Sequence, residues 1–126
     1  GEKIMLVDDD QDFVEVLSMT LEGEGYEVVT AYSGEEARES IPEEMPHLIV
    51  LDVMMETETE GFKVARWLRE REETAEIPLV MLTAVNQEYS FEFGPDEIWL
   101  PVDQFLEKPV ENEQLVAEIK SALEKK

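Results

Sequence analysis

Five apolar runs of strand length punctuate the chain: "IMLV" (residues 4–7), "YEVVTA" (26–31), "HLIVL" (47–51), "LVML" (79–82) and a weaker "QFLE" (104–107). Three are continuously apolar, as strands buried on both faces of a parallel sheet should be. The stretches between them carry helical periodicity. Phe13, Leu17 and Leu21 form one stripe, with Gly23 or Gly25 offering a left-handed stop. "SGEE" (33–36) has the spacing of a capping box, predicting a second helix from there to near Pro42. Phe62, Ala65 and Leu68 share a third face, and Leu115, Ile119 and Ala122 that of the last helix. Between residues 85 and 103, Gly94, Pro95 and Pro101 break the pattern, so the helix before the last strand is expected to be short, displaced or missing. Alternating strands and helices predict parallel strands joined by right-handed crossovers with helices on both faces, a doubly wound α/β three-layer sandwich.

Length and charge narrow the function classes. The 126 residues suit one domain, 1–126. No apolar run approaches the roughly 20 residues that span a bilayer, and no secretory signal opens the chain. Cysteine is absent, which excludes disulfides and thiolate metal sites and fits the cytoplasm. The formal charge of -22 would repel a phosphate backbone, so direct nucleic-acid binding by this domain is not expected. Residue 1 is Gly and not Met, which leaves the natural ends of the protein open.

In doubly wound sheets ligands bind beyond the carboxyl ends of the strands. Here those ends carry Asp8-Asp9-Asp10, Asp52, Thr83 and Lys108-Pro109. Carboxylates gathered from different strands repel one another unless a cation sits among them. Oxygen-only ligands favour Mg²⁺, or Mn²⁺ in its place, which keeps positions open for water and phosphate oxygens. A carboxylate beside such an ion, an ammonium and a hydroxyl are the parts that hold a phosphoryl group during transfer.

These residues resemble the receiver domains of bacterial two-component response regulators. "LVDDD" is similar to that family's acidic pair, "LIVLDVMM" to its phosphoacceptor strand, "MLTA" to its Thr/Ser strand and "FLEKP" to its Lys-Pro turn. The resemblance covers nearly the whole chain and implies a flavodoxin-like sheet of order 2-1-3-4-5. It also implies that Asp52 takes a phosphoryl group from a histidine kinase or phosphotransfer protein. Asp8 and Asp9 would bind Mg²⁺ with Asp52 and the Met54 backbone carbonyl, Lys108 would pair with the phosphoryl oxygens, and Thr83 would swing toward them. A downstream effector protein would read the result. Pro109 would follow a cis bond.

Three departures stand out. The aromatic switch position is Phe105, which can signal through packing but has no hydroxyl. "VMMETETEGF" puts Glu56 at the family's Pro position, with one extra residue before Gly61, and "FGPDEIWLPVD" lengthens the stretch between Thr83 and Lys108. That second insertion lies on the family's usual docking and dimer face and implies an unusual partner or none of the common dimers. Met54 and Val85 stand two residues past Asp52 and Thr83, where side chains influence attack by water, and neither can hold a water by a hydrogen bond. A long-lived phosphoryl state is the expectation.

Plainer readings apply elsewhere. Asp10 and Asp12 are expected to cap a helix, His47 to be structural, Trp67 and Trp99 to pack, and the Glu-rich runs at 35–44 and 56–60 to be solvated surface. A calcium loop is excluded because Phe13 and Met19 stand where it needs Gly and Glu. A haloacid-dehalogenase-type phosphatase would need an Asp where Met54 stands. A pseudo-receiver that binds without phosphorylation would be expected to lose an acidic, Thr or Lys position, and none is lost.

Overall fold

The computed structural model describes residues 2–52, 60–84, 104–108 and 111–124. Among these residues the elements follow in the order β1 (Lys3–Val7), α1 (Gln11–Gly23), β2 (Glu27–Ala31), α2 (Gly34–Glu44), β3 (Leu48–Asp52), α3 (Glu60–Glu70), β4 (Leu79–Ala84), β5 (Gln104–Lys108) and α4 (Asn112–Glu124). All strand pairs are parallel and the order is β2-β1-β3-β4-β5, the expected doubly wound sheet. The segments 53–59 and 85–103, with the expected irregular helix, lie outside the described residues.

The continuous apolar runs are explained by two cores, one on each face. Along β1, Met5 and Val7 face α2 and α3, while Ile4 and Leu6 face α1 and α4. Strand β3 repeats the alternation with Ile49 and Leu51 against Leu48 and Val50, and every one of its residues is buried. Successive side chains point to opposite faces of a strand, so covering both faces with helices requires apolar residues at consecutive positions.

Helix α1 begins where Asp10 Oδ1 accepts the Phe13 amide at 3.1 Å, the capping role expected of Asp10. Its end is a Schellman motif: the Gly25 amide donates to the Glu22 carbonyl and the Tyr26 amide to the Leu21 carbonyl, with Gly25 at φ 98°. Between the two candidate stops, Gly25 is therefore the one that takes the left-handed conformation. Tyr26 packs in the same core as Leu21, completing the motif's apolar contact.

Helix α2 starts at the Ser33 cap, whose Oγ accepts the Glu36 amide at 3.0 Å, and Glu36 Oε1 reaches back to the Tyr32 amide. It runs past Pro42 to Glu44, because a proline in the last turn forfeits one amide bond without stopping the turn that follows. Met45 closes it in the left-handed conformation at φ 42°. His47 has the structural role expected: its Nδ1 accepts the Lys3 amide at 2.9 Å and its own amide donates to the Lys3 carbonyl at 2.8 Å, fixing the start of β1 beside β3. Lys3 Nζ bonds Glu44 Oε1 at 3.0 Å, and that carboxylate raises the ammonium above the ordinary lysine range. Trp67 packs against the α2–α3 core, with the Arg71 guanidinium 4.9 Å from its ring centroid.

The link from α3 to β4 is held by side chains with no helical or strand pattern of their own. Buried Thr74 Oγ1 donates to the Leu68 carbonyl at 2.7 Å, and Arg69 Nη1 donates to the carbonyls of Ala75 and Ile77 at 3.0 and 2.7 Å. Replacing Thr74 by Val keeps the volume and removes the hydroxyl donor, so Thr74→Val is expected to destabilise the chain by about 1–2 kcal/mol in urea unfolding. An unchanged midpoint would show that this hydroxyl does not anchor the entry to β4.

Candidate phosphoacceptor and metal site

Strand register brings the acidic residues together. Val7 pairs with Leu51 across β1 and β3, so the next residues, Asp8 and Asp52, emerge side by side at the carboxyl edge of the sheet. The Asp8 amide continues the β1–β2 ladder by donating to the Ala31 carbonyl at 3.1 Å. Its carboxylate Oδ1 accepts the Asp10 amide at 2.9 Å, which bends the chain into α1. The three consecutive aspartates thus have three tasks: Asp8 is buried at the strand end, Asp9 projects into solvent, and Asp10 caps the helix.

Carboxylate oxygens of Asp8, Asp9 and Asp52 all lie within 4.8 Å of one another. Asp8 is 2% exposed and Asp52 4%, so their charges are shielded from water and their mutual repulsion is stronger than at the surface. Two buried carboxylates and one open to solvent form an oxygen-only set that fits a hard divalent cation retaining water or an external oxygen ligand.

The other expected site residues are positioned through the sheet. Asp52 pairs with Leu82, Thr83 follows one step on, and Ala84 pairs with Lys108. Thr83 and Lys108 therefore stand on the same edge as the acidic cluster, while Phe105 lies one strand away opposite Met81. Met54, Glu56, Val85, Trp99 and Pro109 lie outside the described residues. The sequence gives no local signal for the parts played by the Ala31 carbonyl and the Asp10 amide, since both depend on how β1 and β2 align.

The family model for the response regulator receiver domain matches residues 4–120. The chain belongs to that family. It is 37% identical over 123 residues to the transcriptional regulatory protein GltR of Pseudomonas aeruginosa and, over the same length, to the alkaline phosphatase synthesis transcriptional regulatory protein PhoP of Bacillus subtilis. Each alignment takes in 98% of this chain and 49% of the relative, so the chain spans about half the length of these proteins. Among solved structures, a response regulator from Chloroflexus aurantiacus is similar with a TM-score of 0.84 at 31% identity, covering 97% of both chains. The receiver domain of a histidine kinase from Syntrophus aciditrophicus matches with a TM-score of 0.87 at 27% identity, covering 98% of this chain and 91% of that one. None of the described helices is long and apolar enough to cross a membrane.

A receiver whose acidic cluster relieves its repulsion by holding a cation should be stabilised by one. Titrating Mg²⁺ is expected to raise the thermal midpoint, and Asp9→Asn, at the exposed arm of the cluster, to weaken that response by roughly tenfold in midpoint concentration. A midpoint indifferent to Mg²⁺ in the unsubstituted chain would remove the cation from this site.

Proposed function

We propose that this chain is the phosphoacceptor receiver of a two-component response regulator, residues 1–126 forming one receiver unit that works in the cytoplasm. The observation that carries the reading is the convergence of Asp8, Asp9 and Asp52 at the carboxyl edge of a receiver-family sheet. In this reading a carboxylate oxygen of Asp52 attacks the phosphorus of a phosphohistidine on a histidine kinase or phosphotransfer protein. The P–N bond breaks, its electron pair stays with the imidazole, and an acyl phosphate forms on Asp52. Asp8 and Asp9, with Asp52 and the Met54 carbonyl, hold Mg²⁺, for which Mn²⁺ can substitute. When bound, the ion offsets negative charge on the phosphoryl oxygens.

Lys108 supplies the second cation for those oxygens, and Thr83 the hydroxyl that turns toward them. Phe105 then follows through packing, giving a downstream effector protein a changed surface to read. The same site returns Asp52 to its free carboxylate when water attacks phosphorus and the acyl O–P bond breaks. The chain thus catalyses only its own phosphorylation and dephosphorylation. Its charge of -22 supports protein partners over direct contact with nucleic acid.

Intact-protein mass after incubation with a small acyl-phosphate donor tests the reading. One Mg²⁺-dependent phosphoryl adduct is expected, absent from Asp52→Asn. No adduct on a folded, Mg²⁺-binding chain would favour a phosphorylation-independent interaction module.

Met54 and Val85 give attacking water no side-chain hydrogen bond, so the adduct is expected to outlast that of Met54→Asn by on the order of tenfold when its decay is followed by mass. Equal or faster loss from the unsubstituted chain would refute the role assigned to these two positions.

A further inference from the structure

Consecutive aspartates follow β1, yet only Asp8 and Asp9 join Asp52 in the set of converging carboxylates. Asp10 stands outside that set and is bonded along its own backbone and side chain. Its amide donates to Asp8 Oδ1 at 2.9 Å, its Oδ1 accepts the Phe13 amide at 3.1 Å, and its carbonyl accepts the Val14 amide at 3.1 Å. The first bond closes an Asx turn around Asp9, and the other two start α1.

The turn and the helix start bear on each other through the Asp10 backbone. As N-cap, Asp10 is extended at φ -84° and ψ 97°, a conformation that the bond from the Phe13 amide to its side chain holds in place. The direction of the Asp10 amide is held with it. An amide bonded to one carboxylate oxygen limits rotation of the whole group, so both oxygens of Asp8 are oriented from the first turn of α1. The same turn limits where exposed Asp9 carries its carboxylate. Asp8 and Asp9 thus take their aim from a side chain that is not itself part of the cation set.

We propose that Asp10 is a positioning residue for the cation, coupling the start of α1 to the affinity of Asp8, Asp9 and Asp52. The inference rests on the reading of those carboxylates given under the proposed function. The cap acts here and not the charge: the Asp10 side chain is exposed, where salt screens its field, whereas its hydrogen bond fixes geometry. Coupling between two sites is reciprocal, so a bound cation in turn steadies the first turn of α1.

Mn²⁺ binding tests this, followed through the paramagnetic resonance of the free ion at physiological salt, where diffuse binding to surface glutamates is suppressed. Asp10→Ala removes the cap and is expected to weaken binding about three- to fivefold, the equilibrium factor that one cap is worth. Asp10→Asn and Asp10→Ser keep a capping oxygen and should stay within about twofold of the unsubstituted chain. Thr74→Val, which loosens the chain before the amino end of β4, should leave the affinity unchanged. In the unsubstituted chain, saturating Mg²⁺ should slow hydrogen exchange of the Phe13 amide by about twofold or more, a response that a purely structural cap would not give. Asp10→Asn and Asp10→Ser as weak as Asp10→Ala would assign the effect to charge and overturn the proposal. So would an unaffected Asp10→Ala, an equal loss in Thr74→Val, or Phe13 exchange indifferent to Mg²⁺. Those outcomes leave the Mg²⁺-dependent adduct on Asp52 in place, whereas failure of the unsubstituted chain to bind either ion would overturn the proposal together with the reading it rests on.

Discussion

The parallel pairing of β1 with β3 is the constraint on which the rest of this receiver depends. It places Val7 opposite Leu51 and so delivers Asp8 and Asp52 to the same level, nearly sealed from water. A slip of one residue would turn every side chain of β1 to the opposite face and misalign the carboxylates together. The apolar residues on both faces of these strands therefore do more than stabilise the fold: by making any other register expensive, they hold two like charges at a separation that neither would adopt freely. The reciprocal bonds between Lys3 and His47 secure that register at the opposite end of the strands.

Much of this was legible because each signal is local. Consecutive apolar residues mark a strand covered on both faces, and Ser33 with Glu36 marks a helix start. Asp10 caps α1 because it immediately precedes the first apolar turn. Converging the acidic residues needed only the general rule that doubly wound sheets present their carboxyl edges to ligand. What escaped the sequence was settled by contacts distant along the chain or by compensation. Thr74 carries no pattern that announces a bond to Leu68. Met45 takes a left-handed conformation usually given to glycine, and composition does not reveal it.

Charge is distributed so that the site and the surface pose separate problems. At the site the repulsion is confined to buried Asp8 and Asp52 and exposed Asp9, whose carboxylate oxygens are close enough together to hold one cation. At the surface it is spread over many solvated glutamates and relieved by salt, apart from a few pairs such as Lys120 with Glu24. The basic residues are too few to neutralise the surface generally, and even where Lys63, Arg66, Arg69 and Arg71 gather on and after α3, exposed Glu70, Glu72, Glu73 and Glu76 stand among them.

The energetic consequence is that folding and ligand binding share one quantity. A domain is stable by roughly 5–15 kcal/mol, and crowding two buried carboxylates consumes part of it. A cation present at a hundred times its dissociation constant returns about 2.7 kcal/mol, a substantial fraction of such a margin. A phosphoryl group on Asp52 would bring further negative charge to the same spot, tolerable only where cations already meet it. Under the proposed function, an acidic cluster that looks like a liability in the bare chain would couple phosphoryl chemistry to the stability of the surrounding elements, and through them to the surface a partner reads.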